Sequence, residues 1–305
     1  MGLSGGVDSA VSAALLKEAG ARVTGVFIKG WYPPGMPCTW AAERRDAMRV
    51  AARLGIPFHT LDASVEYKKG VIDYLLAEYK AGRTPNPDVM CNREVKFGAF
   101  YRYAMAQGAD SIATGHYART SDGALCRGVD AAKDQSYFLW AVPKEALQKT
   151  LFPLGEMRKA KVRALAKRFN IPVAEKPDSQ GICFLGSVSV KDFLRKEFGD
   201  NPVILHTIGE RLSGGYVTGK DVERGTVEIG AVHPTSGTIR LTHANRLADW
   251  SGPLTAQYRY HGPVVEGEVK DNMFISPELL SDTPAPGQSI VLYRGEACVG
   301  GGIIT

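Results

Sequence analysis

The pattern of apolar and polar positions divides the chain into two textures. Over the first 200 residues, apolar residues at helical spacing alternate with short apolar runs. Helical spacing extends from Asp8 to Ala19 and stops at Gly20, a residue suited to a helix C-terminus. Arg22 to Ile28 then reads as a buried strand, Ala41 to Leu54 as a helix closed by Gly55, Pro57 to Leu61 as a strand and Ser64 to Tyr79 as a helix. An amphipathic helix is predicted from about Glu94, carrying Val95, Phe97, Phe100 and Tyr103, followed by a strand at Asp110 to Thr114. Glu156 to Phe169, a basic stretch, and Val190 to Phe198 read as further helices. This alternation predicts a parallel sheet covered by helices, in which ligands bind beyond the C-terminal ends of the strands.

From Val203 onward the pattern changes to short β-type runs separated by Gly, Pro and Asp. The runs are Thr226 to Ile229, Thr238 to Leu241, Leu254 to Tyr260, Val264 to Val269, Ser289 to Tyr293 and Ala297 to Ile304. They predict small β-barrels or sandwiches. The expected fold is an α/β parallel sheet with flanking helices, followed by small all-β barrel-like domains. The expected divisions are 1–140 for the α/β part, 141–200 for a helical extension, 201–250 for a short central β part and 251–305 for a C-terminal barrel.

Composition narrows the class. At 305 residues, 44% apolar and 23% charged, the chain is an ordinary globular sequence long enough for two or three domains. No run approaches the ~18 apolar residues of a membrane span. The first residues form neither a basic segment nor a signal-type apolar core, which predicts a cytosolic location. A net charge of +5 permits a nucleic-acid partner without demanding one. The five cysteines (Cys38, Cys91, Cys126, Cys183, Cys298) are odd in number, spread out and without a Cys-x-x-Cys pair. That argues against a secreted disulfide framework and a zinc ribbon, and leaves room for reactive thiols.

The candidate chemistry begins at the N-terminus. Ser4-Gly-Gly-Val-Asp-Ser9 runs directly into the first helix. Paired glycines let the backbone approach a ligand, and the helix behind them aims N–H groups and its positive dipole end at whatever occupies the loop. Asp8 could orient this loop or hold a divalent cation. No Gly-Lys-Ser/Thr is present, so this is not a Walker loop. A loop of this type should follow a buried strand, yet only Met1 precedes Gly2: a start set too late or a trimmed sequence is the expected reason, and a sheet without its central strand the alternative. Farther along, Arg83-Thr-Pro-Asn-Pro-Asp-Val-Met-Cys-Asn92 holds two prolines that stiffen the backbone ahead of Cys91. A thiol at a helix N-terminus is a candidate nucleophile, with Asp88 beside it as proton acceptor or donor; a small buried hydrophobe is the plain alternative. His116, after Gly115, reads equally as core imidazole or substrate contact. Lys133 to Tyr137 reads as a polar turn, and Cys183 sits in an apolar run.

Taken together these stretches resemble the tRNA-specific 2-thiouridylases of the ATP-pyrophosphatase (PP-loop) superfamily. The resemblance rests on Ser4 to Ser9, Glu78 to Asp88 with Cys91-Asn92, Ala113-Thr-Gly-His-Tyr117, Lys133 to Leu139, Asp178-Ser179 with Gly181-Ile-Cys-Phe184, and Pro286-Gly-Gln288 with Gly300 to Ile304. It implies a sulfurtransferase that adenylates the wobble uridine with ATP and Mg²⁺ and replaces its C2 oxygen by sulfur. Gly2, Leu3, Ser4, Gly5, Gly6, Val7, Asp8 and Ser9, with Ile28 and Gly115, would hold ATP. Asn86, Pro87 and Asp88 would face the base, with Asp88 as general acid/base. Cys183 would carry a persulfide received from a carrier protein, and Cys91 would resolve it through a disulfide. His116, Lys133, Asp134, Gln135, Arg259, Tyr260 and Gln288 would contact tRNA. The sequence departs from the family at His206 to Gly215, where the central β part is short. Alternatives are another PP-loop ligase or amidotransferase-like enzyme, a non-catalytic tRNA-binding relative, or a variant in which Asp88, Cys91 and Cys183 ligate an iron–sulfur cluster.

Overall fold

The structure, a computed structural model, describes residues 1–33, 39–178, 189–232, 235–280 and 284–305. Cys38 and Cys183 lie outside the described residues, as do Ser179 and residues 181–186 of the motif around Cys183.

The α/β part begins with helix α1 (Val7–Glu18), strand β1 (Gly25–Lys29), α2 (Trp40–Leu54) and β2 (Phe58–Asp62). Two long helical stretches follow, α3 (64–80) and α4 (87–106), each with a π-helical segment. Strand β3 (Ile112–Ala113), the hairpin β4 (Ala118–Ser121) and β5 (Ala124–Arg127), helix α5 (Lys144–Gln148), strand β6 (Thr150–Leu151) and helix α6 (Lys159–Arg168) complete it. β1 pairs in parallel with β2, and β3 in parallel with β6. The two pairs are joined by residues 1–3. Gly2 bridges to Val26 in parallel, Val26 N donates to Met1 O (2.8 Å), Leu3 N to Val26 O (2.8 Å), and Gly2 N to Ala113 O (3.0 Å). The order is therefore β2, β1, residues 1–3, β3, β6. The alternative of a sheet without its centre does not hold: residues 1–3 occupy that place and feed straight into the loop before α1.

Helix α1 is small-residue rich because it is sandwiched. Ala10, Val11, Ala13 and Ala14 are buried in one cluster with Ala47, Val50 and Ala51 of α2 and Val162, Leu165 and Ala166 of α6. Helix α4 starts earlier than the expected Glu94. Asn86 caps it, its Oδ1 accepting from Asp88 N (3.1 Å) and Val89 N (3.4 Å), and Pro87 takes the first helical position, where a missing N–H costs nothing. Cys91 consequently sits in the second turn and not at the helix N-terminus.

Helices α7 (Val190–Phe198) and α8 (Pro202–Leu205) lead to a three-stranded antiparallel sheet of β7 (Arg211–Leu212), β8 (Gly215–Asp221) and β9 (Thr226–Gly230). The last strands are β10 (Thr238–Arg246), β11 (Leu254–Gln257), β12 (Val264–Lys270), β13 (Met273–Ile275), β14 (Ser289–Arg294) and β15 (Ala297–Ile304). They run in the order β10-β13-β12-β11-β14-β15, and β15 pairs back with β10, closing a six-stranded barrel. The barrel starts at Thr238, ahead of the division expected at 250, because Leu241 pairs with Ile304 and Ile239 with Phe274. The β4–β5 hairpin extends the same sheet through Ala297 and Cys126, which ties the barrel to the α/β part.

Candidate functional site

The loop between residues 3 and 7 is bent by Gly5, whose φ is +76°. A Cβ there would lie 2.4 Å from the Glu43 carbonyl oxygen of α2, so the close crossing excludes a side chain. Ser4 and Ser9 brace the loop from within. Ser4 N donates to Ser9 Oγ (3.2 Å), Ser9 Oγ donates to Gly6 O (3.1 Å), and the two hydroxyls lie 3.1 Å apart. Helix α1 has no side-chain cap at Gly6, so its first N–H groups are left for a ligand. Gly115 packs on this turn: a Cβ at that position would come within 2.8 Å of Ser9 N. This glycine, expected beside the ATP, is thus also required by the approach of two backbones.

In front of the loop lies a cavity of about 570 Å³. Gly2, Leu3, Ser4, Gly6, Val7, Asp8, Ser9, Ile28 and Gly115 line it, as do His116, Lys133, Gln135 and Tyr260. Residues not expected from the sequence also line it: Lys96, Tyr117, Lys176 and His261, together with Asp178, quoted in a motif but given no role. The basic residues are held by carboxylates. Lys159 Nζ lies 2.7 and 2.8 Å from the two Asp8 oxygens and 2.8 Å from Asp178 Oδ1, and the Tyr117 hydroxyl donates to Asp8 Oδ1 (2.8 Å). Arg163 and Lys133 also pair with Asp178, at 2.6 and 2.9 Å. Lys176 Nζ bridges Asp46 (2.8 Å) and the Gly5 carbonyl (3.1 Å). Burial and the adjacent Asp8 carboxylate push the Tyr117 phenol up, so it stays a donor. Asp8 thus orients the loop through Lys159 and Tyr117.

A second depression of about 290 Å³ is lined by Thr84, Pro85, Asn86, Pro87, Asp88 and Gln288. The barrel builds part of it: Thr84 N donates to Pro286 O (2.8 Å) and Gln288 Nε2 to Thr84 O (2.6 Å). The structure therefore gathers the expected base-facing residues and Gln288 at one place, and the expected nucleotide residues at another. Helix α4 connects them, with Asp88 at one end and Lys96 about 12 Å farther along at the helical rise. Cys91 lies between, 1% exposed, packed in the core and lining neither depression.

Four of the expected tRNA contacts differ widely in exposure. Arg259 is exposed, whereas Tyr260 is half-buried against Phe138 (ring centroids 4.4 Å apart). Asp134 is corrected. Its carboxylate is buried and accepts from Gly128 N, Ser136 N, Ser136 Oγ and Arg127 Nη1, a structural assignment that leaves no face for RNA. His116 is only 8% exposed and reaches the cavity, not the outer surface.

Residues 1–187 match the family described as the tRNA methyl transferase HUP domain, and residues 238–304 match the aminomethyltransferase beta-barrel domain. The tRNA-specific 2-thiouridylase MnmA of Streptococcus uberis is 40% identical over 353 residues, covering 100% of this chain and 94% of that protein. The corresponding protein of Stutzerimonas stutzeri is 41% identical over 349 residues, covering 100% and 93%. This chain belongs to the tRNA-specific 2-thiouridylase family. It is a PP-loop tRNA sulfurtransferase, and Ser4 to Ser9 is the stretch that resembles a PP-loop. The match to the S. uberis thiouridylase spans 353 positions against 305 residues here, so this chain lacks positions that the relative has within the match. Among solved structures, the U34-tRNA thiolase NcsA from Methanococcus maripaludis with its 4Fe–4S cluster covers 67% of this chain and 68% of its own, at 19% identity and a TM-score of 0.39. Among the described residues of the thiouridylase, no group of three or more His, Cys, Asp or Glu side chains could hold a metal, and no helix is long and apolar enough to cross a membrane.

Proposed function

We propose that this enzyme thiolates C2 of the wobble uridine of tRNA through an adenylated base, with Cys183 as persulfide carrier and Cys91 as resolving nucleophile. The observation that carries the reading is the pairing of two depressions along α4, one lined by the PP-loop and the other by Asn86, Pro87, Asp88 and Gln288. ATP fits the first: the uncapped start of α1 and the Gly5 cradle suit its phosphates, and Lys133 and Lys176 supply positive charge. Mg²⁺ would enter with the nucleotide and neutralise the departing pyrophosphate, facing Asp8 at the expense of the pair with Lys159.

Adenylation is needed because the uracil oxygen is a poor leaving group. The O2–Pα bond forms, the Pα–O bond to pyrophosphate breaks with its electron pair, and the N3 proton passes to Asp88. The terminal sulfur of the Cys183 persulfide then bonds to C2 and AMP departs. The Cys91 thiolate attacks Sγ of Cys183, leaving sulfur on C2 and a Cys91–Cys183 disulfide, which a thiol reductant returns to two thiols. N3 recovers its proton from Asp88. The sulfur is supplied by a persulfide-bearing carrier protein, and Arg259, Tyr260, Lys133, Gln135 and Gln288 face the tRNA.

The test is mass spectrometry of tRNA nucleosides after incubation with the protein, ATP and a persulfide donor. 2-Thiouridine and one pyrophosphate per thiolation are expected. Cys91→Ser and Cys183→Ser should each lower thiolation by at least about 100-fold while ATP still binds; full activity in either would refute the disulfide scheme.

A further inference from the structure

Lys96 and His116 form a pair that the reading above leaves without a task. Lys96 projects from α4 and lines the cavity beside the PP-loop. Its ammonium lies 3.4 Å from Nε2 of His116, and Nδ1 of His116 lies 2.8 Å from Thr114 Oγ1. An ammonium only donates, so Nε2 must be the acceptor, and the proton of the neutral ring must sit on Nδ1, donated to Thr114. The imidazole is walled by Phe97 (centroids 5.7 Å apart) and Phe152 (6.3 Å). Burial, and then the Lys96 charge, hold it neutral, well below its ordinary pKa. The ring is also adjacent in sequence to Gly115, whose backbone presses on the first turn of α1. An ammonium is thus placed in the cavity that the loop lines, on the same helix that carries Asp88.

We infer that Lys96 is a catalytic residue of the adenylation step and that His116 is the positioning residue that aims it. This rests on the reading of the cavity as the nucleotide site. When O2 bonds to Pα and pyrophosphate leaves, charge builds on the non-bridging α-phosphoryl oxygens. The loop N–H groups face the departing phosphates, and the Lys96 ammonium faces the α-phosphoryl group from the side nearer Asp88. Because its acceptor is a neutral ring locked by Thr114, the ammonium needs no reorganisation as the charge develops. On this assignment His116 serves tRNA only through Lys96, not by touching it.

The test follows tRNA-dependent pyrophosphate release, which reports adenylation alone. Lys96→Met keeps the aliphatic stem and should lower kcat about 100-fold or more, with KM for ATP and Kd for tRNA within about threefold of wild type. His116→Leu, which removes the acceptor, should lower kcat about tenfold without weakening tRNA binding, and His116→Gln, whose amide oxygen can accept from Lys96, should recover part of it. Thermal unfolding of each variant separates a folding defect, and a Lys96→Arg variant keeps the question open to measurement if Lys96→Met is unstable: it should retain more activity than Met. Wild-type kcat in folded Lys96→Met, or weakened tRNA binding with intact kcat in His116→Leu, would overturn the assignment. Absence of pyrophosphate release from the wild-type enzyme would instead overturn the nucleotide-site reading beneath it.

Discussion

Asp178 gathers more charge than any other carboxylate near the cavity, taking Lys133, Lys159 and Arg163 at once. Burial alone would raise its pKa, but the hydrogen bonds from Lys159 and Lys133 outweigh it and bring the carboxyl to about 2, from the usual 3.8. A carboxylate lowered on folding stabilises the native state above its unfolded pKa, and that contribution fades as pH falls toward the folded value. The stability difference between wild type and Asp178→Asn should therefore be constant from pH 7 to about pH 4.5 and shrink below pH 4. Urea midpoints across that range measure it; a difference that stays the same down to pH 3 would remove the ion-pair account. At this scale the sequence was only partly readable. The loop at Ser4 to Ser9 stands out in the sequence because its residues are contiguous and its chemistry is local. Lys159 and Lys96 could not, since the first meets Asp8 across 151 positions and the second meets His116 across 20. Helical spacing would have placed Lys96 one turn beyond Asn92, but only the fold brings His116 to it.

The elements themselves were more legible than the contacts between them. Val190–Phe198 and Ala297–Ile304 appear with the expected bounds, and the two parallel pairs match the strand–helix alternation. The start of α4 was misjudged although Asn86-Pro87 is a capping pair, because the proline-rich text reads equally as an extended loop. The hairpin β4–β5 turns at Asp122-Gly123, both with positive φ, and β12–β13 at Asp271-Asn272, likewise. Those are the residues such two-residue turns prefer; β12 was expected at Val264 to Val269, whereas the apolar runs of β4, β5 and β13 were too short to announce strands. One turn also bears on the proposed base site. Gly287 has φ +91°, and a Cβ there would lie 2.8 Å from Thr84 N. Gly287→Ala should cost about 1–3 kcal/mol and displace Gln288 from Thr84. The expected result is a lowered unfolding midpoint with a KM for tRNA raised several-fold and unchanged ATP binding. Unchanged tRNA kinetics in a folded variant would mean that Gln288 takes no part in the base site.

Across the whole molecule, the barrel is not an appended module, because a buried polar seam joins it to the α/β part. The Asp134 carboxylate accepts from Ser136 Oγ (2.9 Å) and Arg127 Nη1 (3.3 Å). Arg127 stacks over the Tyr293 ring of β14 at 3.6 Å and reaches Gln257 of β11 (3.3 Å), while Ser136 Oγ meets the Tyr293 hydroxyl (3.1 Å) and the Tyr137 hydroxyl donates to Ser289 O (2.9 Å). Together with β15 pairing to β5, this predicts one cooperative unfolding transition for both parts. Removing one partner of a buried charged pair strands the other, at a cost of about 3–5 kcal/mol. Asp134→Ala should thus lower the unfolding midpoint by roughly 10 °C, at the 2–4 °C per kcal/mol expected for a large domain. Arg259→Ala, at an exposed position, should leave the midpoint unchanged and weaken tRNA binding, more so at low salt, where a phosphate contact counts most. Calorimetry and filter binding on the two variants separate the seam from the tRNA face. If Asp134→Ala instead keeps the wild-type midpoint and loses tRNA affinity, Asp134 belongs to the tRNA face and the seam contributes little to joining the two parts.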